Sequence, residues 1–304
     1  MVRVCHALQK CCYITEFIDR KKVNCFCEKV IRRYYSLVPK DNVGINKEVV
    51  RTRELIVSLT TIPSRIDSVY LAVESMLRQT YKPDKIILWL AEDEFHNVVL
   101  PDNLLKQRKR GLEIRYCENL KSHKKYYEAM RQFPQALLVT IDDDIFYSER
   151  LLENLVRAYV HNPGCIICCR AHFVKYKNKK IPDHYKNWTF FSTWSRFLPR
   201  YDFSHESIFF TSGAGTLIPA WKMPKVCMDK NMAMRLCPTA DDIWLNYMAR
   251  SAGIKIIPIR SVDGWFVYMS DTQELCLSNV NLDIKKRGND MQLEKMYEHF
   301  GFYI

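Results

Sequence analysis

Residues 136–146 read Ala-Leu-Leu-Val-Thr-Ile-Asp-Asp-Asp-Ile-Phe, an apolar, β-rich run that ends directly in Asp142, Asp143 and Asp144. Adjacent carboxylates repel and raise one another's pKa, so a fold that gathers three of them is relieved by a bound cation. Such hard oxygen ligands suit Mg²⁺ or Mn²⁺, which complete their shells with water and phosphate oxygens. The plainer reading is a solvated acidic turn that complements the dipole of a following helix. A second acidic pair, Asp241-Asp242, opens an apolar helical stretch. A carboxylate there could act as a general base on a hydroxyl, or Thr239-x-x-Asp242 could simply be a capping box.

Three further groups carry chemistry. Lys121-Ser122-His123-Lys124-Lys125 gathers cations at an expected helix N-terminus, a place that favours anions; Lys125 is the preferred phosphate or nucleotide contact, against a plain basic helix face. Gly213-Ala214-Gly215 would let backbone N–H groups approach a ligand, or form a tight turn into a strand. Asn289-Asp290 could line the same cleft, and the aromatic run from Trp188 to Trp194 could stack on a sugar or belong to the core. Cys165-x-x-Cys168-Cys169 lacks a companion pair at zinc-ligand spacing and, flanking Ile166-Ile167, reads as a buried strand.

These residues need a frame. Apolar runs at 55–59, 86–90 and 136–141 read as strands buried on both faces, with a shorter strand at 112–116. Helical spacing falls between them: Val69 to Leu77, Ser122 to Phe133, and from a Ser148 cap to Asn162-Pro163-Gly164. This alternation predicts a parallel, doubly wound α/β sheet over residues 54–160. Beyond it lie apolar stretches at 165–169 and 254–259 and helices at 241–252 and 290–299. The expected division is a basic, cysteine-rich helical extension (1–50) followed by one domain (51–304) in two halves, 51–160 and 161–304.

The chain has 304 residues, 48% hydrophobic and 26% charged, a globular composition with material for a large core. Its formal charge is +12, and half of that excess lies in residues 1–40, where nine Lys and Arg face three Asp and Glu. Such a surplus suits an anionic partner. The loosely amphipathic spacing of Ile14, Phe17, Ile18, Val23, Phe26, Val30 and Ile31 allows helices packed on the main domain or a contact to an anionic membrane surface. The 12 cysteines are too sparse and too clustered for a disulfide scaffold. With no signal-peptide pattern and no apolar run near 18 residues, a reduced, cytoplasmic location is expected, with peripheral attachment to the inner face of the membrane.

A strand ending in Asp142-Asp143-Asp144 and a hydrophobic pair resembles the DXD motif of GT-A fold glycosyltransferases, the family 2-like group in particular. The order of the other motifs extends the resemblance over residues 54–250. It implies an α/β, Rossmann-like, mostly parallel sheet flanked by helices. It also implies a donor site of Thr61, Ile62, Arg65, Glu92, Lys125, Asp142 and Asp143. Asp142 would face the nucleotide, Asp144 and Asp142 would hold Mn²⁺ or Mg²⁺, and Asp143 has no separate role. Asp242 would be the catalytic base with Asp241 beside it, and Gly213, Ala214 and Gly215 would lie under the acceptor. The implied reaction is transfer from a nucleotide-sugar, expected to be UDP-linked, to a hydroxyl of a glycan or lipid-linked acceptor. Inversion is expected, as in surface polysaccharide or lipopolysaccharide synthesis, and no nucleic acid partner is. The Thr61-Ile62-Pro63-Ser64-Arg65 loop departs from the family's usual Pro-Thr-Tyr-Asn-Arg form, which leaves the nucleotide open. Alternatives are a retaining enzyme on the same fold, a two-metal phosphotransferase or nuclease, and a non-catalytic sugar- or membrane-binding module.

Overall fold

The computed structural model describes residues 1–15, 19–177, 181–190, 207–259, 266–275 and 288–304. Four strands form the parallel part of one sheet: β1 (Leu55–Thr60), β2 (Lys85–Ala91), β3 (Leu112–Cys117) and β4 (Leu137–Ile141). Helices pack beside them: α3 (Val69–Leu77), the short α4 (Glu92–Phe95) and α5 (Asp102–Gln107), α6 (Lys124–Gln132) and α7 (Leu151–His161). Leu55, Ile56, Val57 and Leu59 of β1 are all shielded from solvent, as are Ile86 to Ala91 of β2. That is the burial expected of strands covered on both faces.

The spatial order across the sheet is β11-β6-β10-β4-β1-β2-β3, with β6 at Ile166–Cys168, β10 at Ala214–Pro219 and β11 at Ile256–Pro258. Strand β10 runs antiparallel to both β4 and β6, while β11 is parallel to β6. The expected α/β, mostly parallel class is what the chain adopts, and residues beyond 160 extend the same seven-stranded sheet. Cys168 is fully buried in β6, so the cysteine cluster is strand, as its flanking isoleucines suggested. No disulfide joins the described cysteines. A three-stranded sheet of β7 (Ala171–Phe173), β8 (Thr189–Phe190) and β9 (Ile208–Phe210) lies beyond, and α8 (Lys230–Leu236), α9 (Asp241–Ser251) and α10 (Gly288–Phe300) complete the elements used below.

The chain order β3-β2-β1-β4 reverses direction between β1 and β4. In open parallel sheets ligands bind outside the carboxyl ends of the strands at such a switch point. Thr61 follows β1 and Asp142 follows β4, so the switch point is where the aspartate run emerges.

Past the aspartates, β5 (Ile145–Phe146) pairs antiparallel with β12 (Val267–Tyr268) in a two-stranded sheet. Two strands alone are marginal, and the N-terminal residues supply the support. Helices α1 (Val2–Thr15) and α2 (Arg20–Leu37), the latter capped by Asp19, pack against this ribbon. The His6 ring bonds the Phe146 carbonyl at 2.8 Å. The Asn24 amide accepts from Tyr268 N–H at 2.8 Å and donates to the Tyr268 carbonyl at 2.9 Å, pairing with β12 as another strand would. Glu28 accepts from the Ser270 N–H at 3.1 Å and from its hydroxyl at 2.6 Å. The described residues of the extension therefore brace this ribbon of the main domain.

Candidate functional site

The three aspartates diverge. Asp143 turns under β1, where the Thr61 hydroxyl donates to it at 2.6 Å and Arg65 at 2.8 Å. Arg65 sits in a single turn of 3-10 helix, Pro63–Arg65, and also reaches Asp144 at 3.4 Å and the Thr272 carbonyl at 2.9 Å. It is not a solvated side chain. Asp143 thus holds the loop after β1 in register with the loop after β4. Asp142 faces the other way, and Lys125 donates to it at 2.9 Å.

Lys125 lies in the first turn of α6, its side chain 6% exposed, and its ammonium is also 3.2 Å from Asp241. Its backbone is pinned from beneath: the Ser58 hydroxyl of β1 donates to the Lys125 carbonyl at 2.5 Å and accepts from the Trp89 indole at 2.9 Å. Burial alone would lower the lysine's pKa, but Asp142, Asp241 and Asp242 together hold it above the ordinary range. One ammonium therefore ties the aspartate run to the acidic pair about a hundred residues later. The start of α6 is Lys124 rather than Ser122, which lies in a preceding 3-10 turn and does not cap it.

The Asp241-Asp242 pair does not cap α9. The N-cap residue is Ala240 with no side-chain bond, and Thr239 pairs with the Gln292 amide instead. Ser212 takes both carboxylates, its hydroxyl donating to Asp241 at 2.6 Å and its N–H to Asp242 at 2.7 Å. The His123 ring bonds the Cys237 carbonyl at 2.7 Å, joining the approach to α6 with the approach to α9. Burial pushes Asp241 up, but Lys125, His123 and Ser212 outweigh it and hold the group below the usual carboxylate range. Burial and the neighbouring Asp241 raise Asp242 to about 6.

Both acidic groups open into one cavity of about 710 Å³, within the usual range for small-molecule sites. Thr61, Ile62, Arg65, Lys125, Asp142, Asp143, Asp144, Gly213, Asp241 and Asp242, all expected site residues, line it. Four expectations need correction or narrowing. Glu92 is exposed on α4 and does not line the cavity; Glu94, two residues on, does, paired with Lys124 at 3.6 Å, because the α4 turn carries position 94 inward. Ala214 and Gly215 do not line it either. Ala214 is fully buried in β10, and a Cβ on Gly215 (φ +82°) would point at the Leu151 side chain. Gly213 serves the aspartate: a Cβ there would fall 1.8 Å from an Asp142 carboxylate oxygen, and its carbonyl accepts the Asp142 N–H at 2.8 Å. Asn289 lines the cavity, but Asp290 holds the loop ahead of β8 by accepting from the Tyr185 N–H at 2.8 Å. Trp188 lines it too, packed on Tyr185 and Phe209, whereas 191–194 lie outside the described residues.

The glycine makes a direct test. Gly213→Ala should displace the Asp142 carboxylate, costing about 1–3 kcal/mol of stability as an overpacked site does. It should also weaken ligand binding in the cavity, measured by urea unfolding and by ligand titration of the same preparation. Wild-type values in both would show that Asp142 has room to spare.

Sequence reading missed several members. Arg170 lines the cavity, donating to the Thr211 hydroxyl at 2.8 Å and to the Tyr268 hydroxyl at 2.6 Å. The Tyr147 hydroxyl donates to the Gly213 carbonyl at 2.5 Å and braces the turn. Neither carries a motif, and only long-range pairing brings them in.

The donor set fits a divalent cation. Asp144 is nine-tenths buried, and burial followed by Asp143 and Asp142 raises it to about 7. Six acidic side chains line the cavity, Glu94, Asp142 to Asp144, Asp241 and Asp242, beside six basic ones, Arg65, Lys121, Lys124, Lys125, Arg170 and Lys186. Among the described residues no three acidic, histidine or cysteine side chains converge to hold a metal unaided. An ion here would need further ligands from water or substrate, the habit of Mg²⁺-type ions held by one or two carboxylates.

No known family and no curated protein matches the chain. Among solved structures it is similar to a mannosyltransferase from Pyrobaculum calidifontis in complex with GDP-Man and Mn²⁺. Identity is 11% over 98% of this chain and 76% of that one, with a TM-score of 0.46. It is similar to glucosyl-3-phosphoglycerate synthase from Mycobacterium tuberculosis in complex with Mn²⁺, UDP-glucose and phosphoglyceric acid, at 9% identity over 81% and 80% of the two chains and a TM-score of 0.46. It is also similar to S. aureus TarS 1–349, at 13% identity over 82% and 72% and a TM-score of 0.41.

Proposed function

We propose that the chain is a GT-A-type glycosyltransferase that moves a sugar from a nucleoside-diphosphate donor to an acceptor hydroxyl with inversion. The observation that carries this is the Lys125 bridge. It ties the switch-point aspartate Asp142 to Asp241, the neighbour of the raised Asp242 carboxylate, and all three line one cavity.

The nucleotide would be met by Asp142, Thr61, Ile62 and Arg65, which line the cavity together with Lys125 and Lys124 at the start of α6. Asp144 and Asp142 are the residues that would hold Mn²⁺ or Mg²⁺, which as a Lewis acid would neutralise the departing diphosphate. Asp242, ionised above about pH 6, takes the proton of the acceptor hydroxyl as its oxygen bonds to the anomeric carbon and the bond to the diphosphate oxygen breaks. The Ser212 N–H orients that carboxylate. The acceptor, a glycan or a lipid-linked glycan, would pack against Arg170, Tyr185 and Trp188, which line the cavity and give it an aromatic face. A UDP-linked donor and a role in surface polysaccharide assembly at the cytoplasmic face of a membrane complete the proposal.

The test is thermal stabilisation by UDP- and GDP-sugars with and without Mn²⁺ or Mg²⁺. A matching donor at a hundred times its Kd should add about 2.7 kcal/mol, only with metal present, and Asp144→Ala should abolish the gain. If no nucleotide-sugar stabilises the wild type with either ion, the proposal fails.

A further inference from the structure

We infer that the outer face of the α1–α2 hairpin docks on an anionic lipid leaflet. The inner face of α2 is formed by Asn24, Cys27, Glu28, Ile31 and Tyr35, which pack on the main domain or bond to it. Directly opposite, at the spacing of one helical stripe, lie Lys22, Phe26, Lys29, Arg33 and Leu37, all exposed. Phe26 is 60% and Leu37 64% exposed, and on α1 Val4 and Leu8 are 61% and 42% exposed beside the exposed Arg3.

A helix face that only had to dissolve would carry charge without large apolar groups. One built to bury in an apolar partner would not interleave them with cations. Cations flanking an aromatic and a leucine fit the boundary of a leaflet, where apolar tips enter the acyl region and long basic side chains reach the headgroups. Among the described acidic residues of the two helices, Glu28 is turned inward onto Ser270 and Arg32 and Asp19 sits at the N-cap of α2, against Lys22, Lys29 and Arg33 on the stripe. Charge complementarity therefore selects acidic lipid, each cation near the surface strengthening binding by roughly fivefold.

Deleting residues 1–40 would not test this, because the same helices hold the ribbon that follows Asp144. The test uses the full chain and vesicles of phosphatidylcholine with or without phosphatidylserine. Sedimentation with the vesicles should require phosphatidylserine and should fall steeply between 0.05 and 0.3 M salt, as screening of exposed charges demands. The triple variant Lys22→Gln, Lys29→Gln, Arg33→Gln should bind about a hundredfold more weakly, and Phe26→Ser should weaken binding with every charge retained. Circular dichroism melts of these surface variants should match the wild type. Absence of binding, or equal binding by the triple variant, overturns the inference. So does a chain that dimerises through this face, seen as a sedimentation shift lost in Phe26→Ser. Binding to a duplex oligonucleotide at least as tight as to vesicles and indifferent to Phe26→Ser also overturns it.

Discussion

Asp242→Asn should lower the transfer rate by roughly a thousandfold, the scale of a lost general base, while nucleotide-sugar binding stays near the wild-type value. The asparagine amide oxygen can still accept the Ser212 N–H, so the start of α9 should survive the change. The pH profile carries the sharper signature. Because burial and Asp241 raise Asp242 to about 6, the wild-type rate should climb with pH through that value and level off above it, as the carboxylate loses its proton and becomes able to accept another. The variant should lack this limb. Initial rates between pH 5 and 8 would decide it, and an unchanged limb in Asp242→Asn would assign the base elsewhere.

Lys125→Met should be the most destabilising single change in the site, at about 3–5 kcal/mol, the usual cost of removing one partner from a buried ionic group. Methionine fills a similar volume, so the loss is electrostatic: Asp142, Asp241 and Asp242 would keep their charges with no cation among them. The sign with pH follows from Asp241, whose pKa Lys125 helps hold below the ordinary value. That depression stabilises the wild type above about pH 4 and is lost as pH falls through the folded pKa. In the variant the uncompensated carboxylates should take up protons more readily, so the two proteins should draw together in acid. Urea unfolding at pH 7.5 and at pH 4.5 measures the gap. Equal stability at pH 7.5 would mean that the lysine does not hold the acidic groups together.

The parallel part of the fold was legible because its strands are continuous apolar runs and its helices have clean 3.6-residue spacing. Both follow from burial of neighbouring residues in the chain. That logic placed Asp142 at the end of a strand and Asp242 at the head of a helix. It could not show that β10 would be inserted antiparallel between β4 and β6, since β10 is as apolar as its neighbours and direction leaves no mark on composition. The misassigned glycines follow from that insertion. Gly213 is needed by a carboxylate about seventy residues earlier in the chain, and the spacing of Gly213 and Gly215 carries no trace of it. Glu92 and Glu94 show a finer limit: both belong to one short acidic turn, and only its phase on α4 decides which faces the cavity. Asp241 and Asp242 illustrate the opposite case, because the capping box that their spacing allowed is not made and Ser212 bonds both instead.

The two-stranded ribbon beyond Asp144 has a consequence for how the protein comes into being. His6 and Asn24, near one end of the chain, bond its Phe146 and Tyr268, while Glu28 and Arg65 bond Ser270 and Thr272 just beyond it. The ladder from β5 to β12 spans more than a hundred residues, and Met269 closes it by donating to the Asp144 carbonyl at 2.9 Å. Contacts between such distant segments form late, after the entropy of closing the intervening loops has been met. On a ribosome the first four strands and the helices between them can be complete while Asp142, Asp143 and Asp144 still stand as an open acidic cluster, awaiting a strand not yet made. A chain cut before β12 would still contain the other residues that line the cavity, Asn289 apart, but would lack the strand that pairs with β5 and the Met269 N–H that bonds the Asp144 carbonyl.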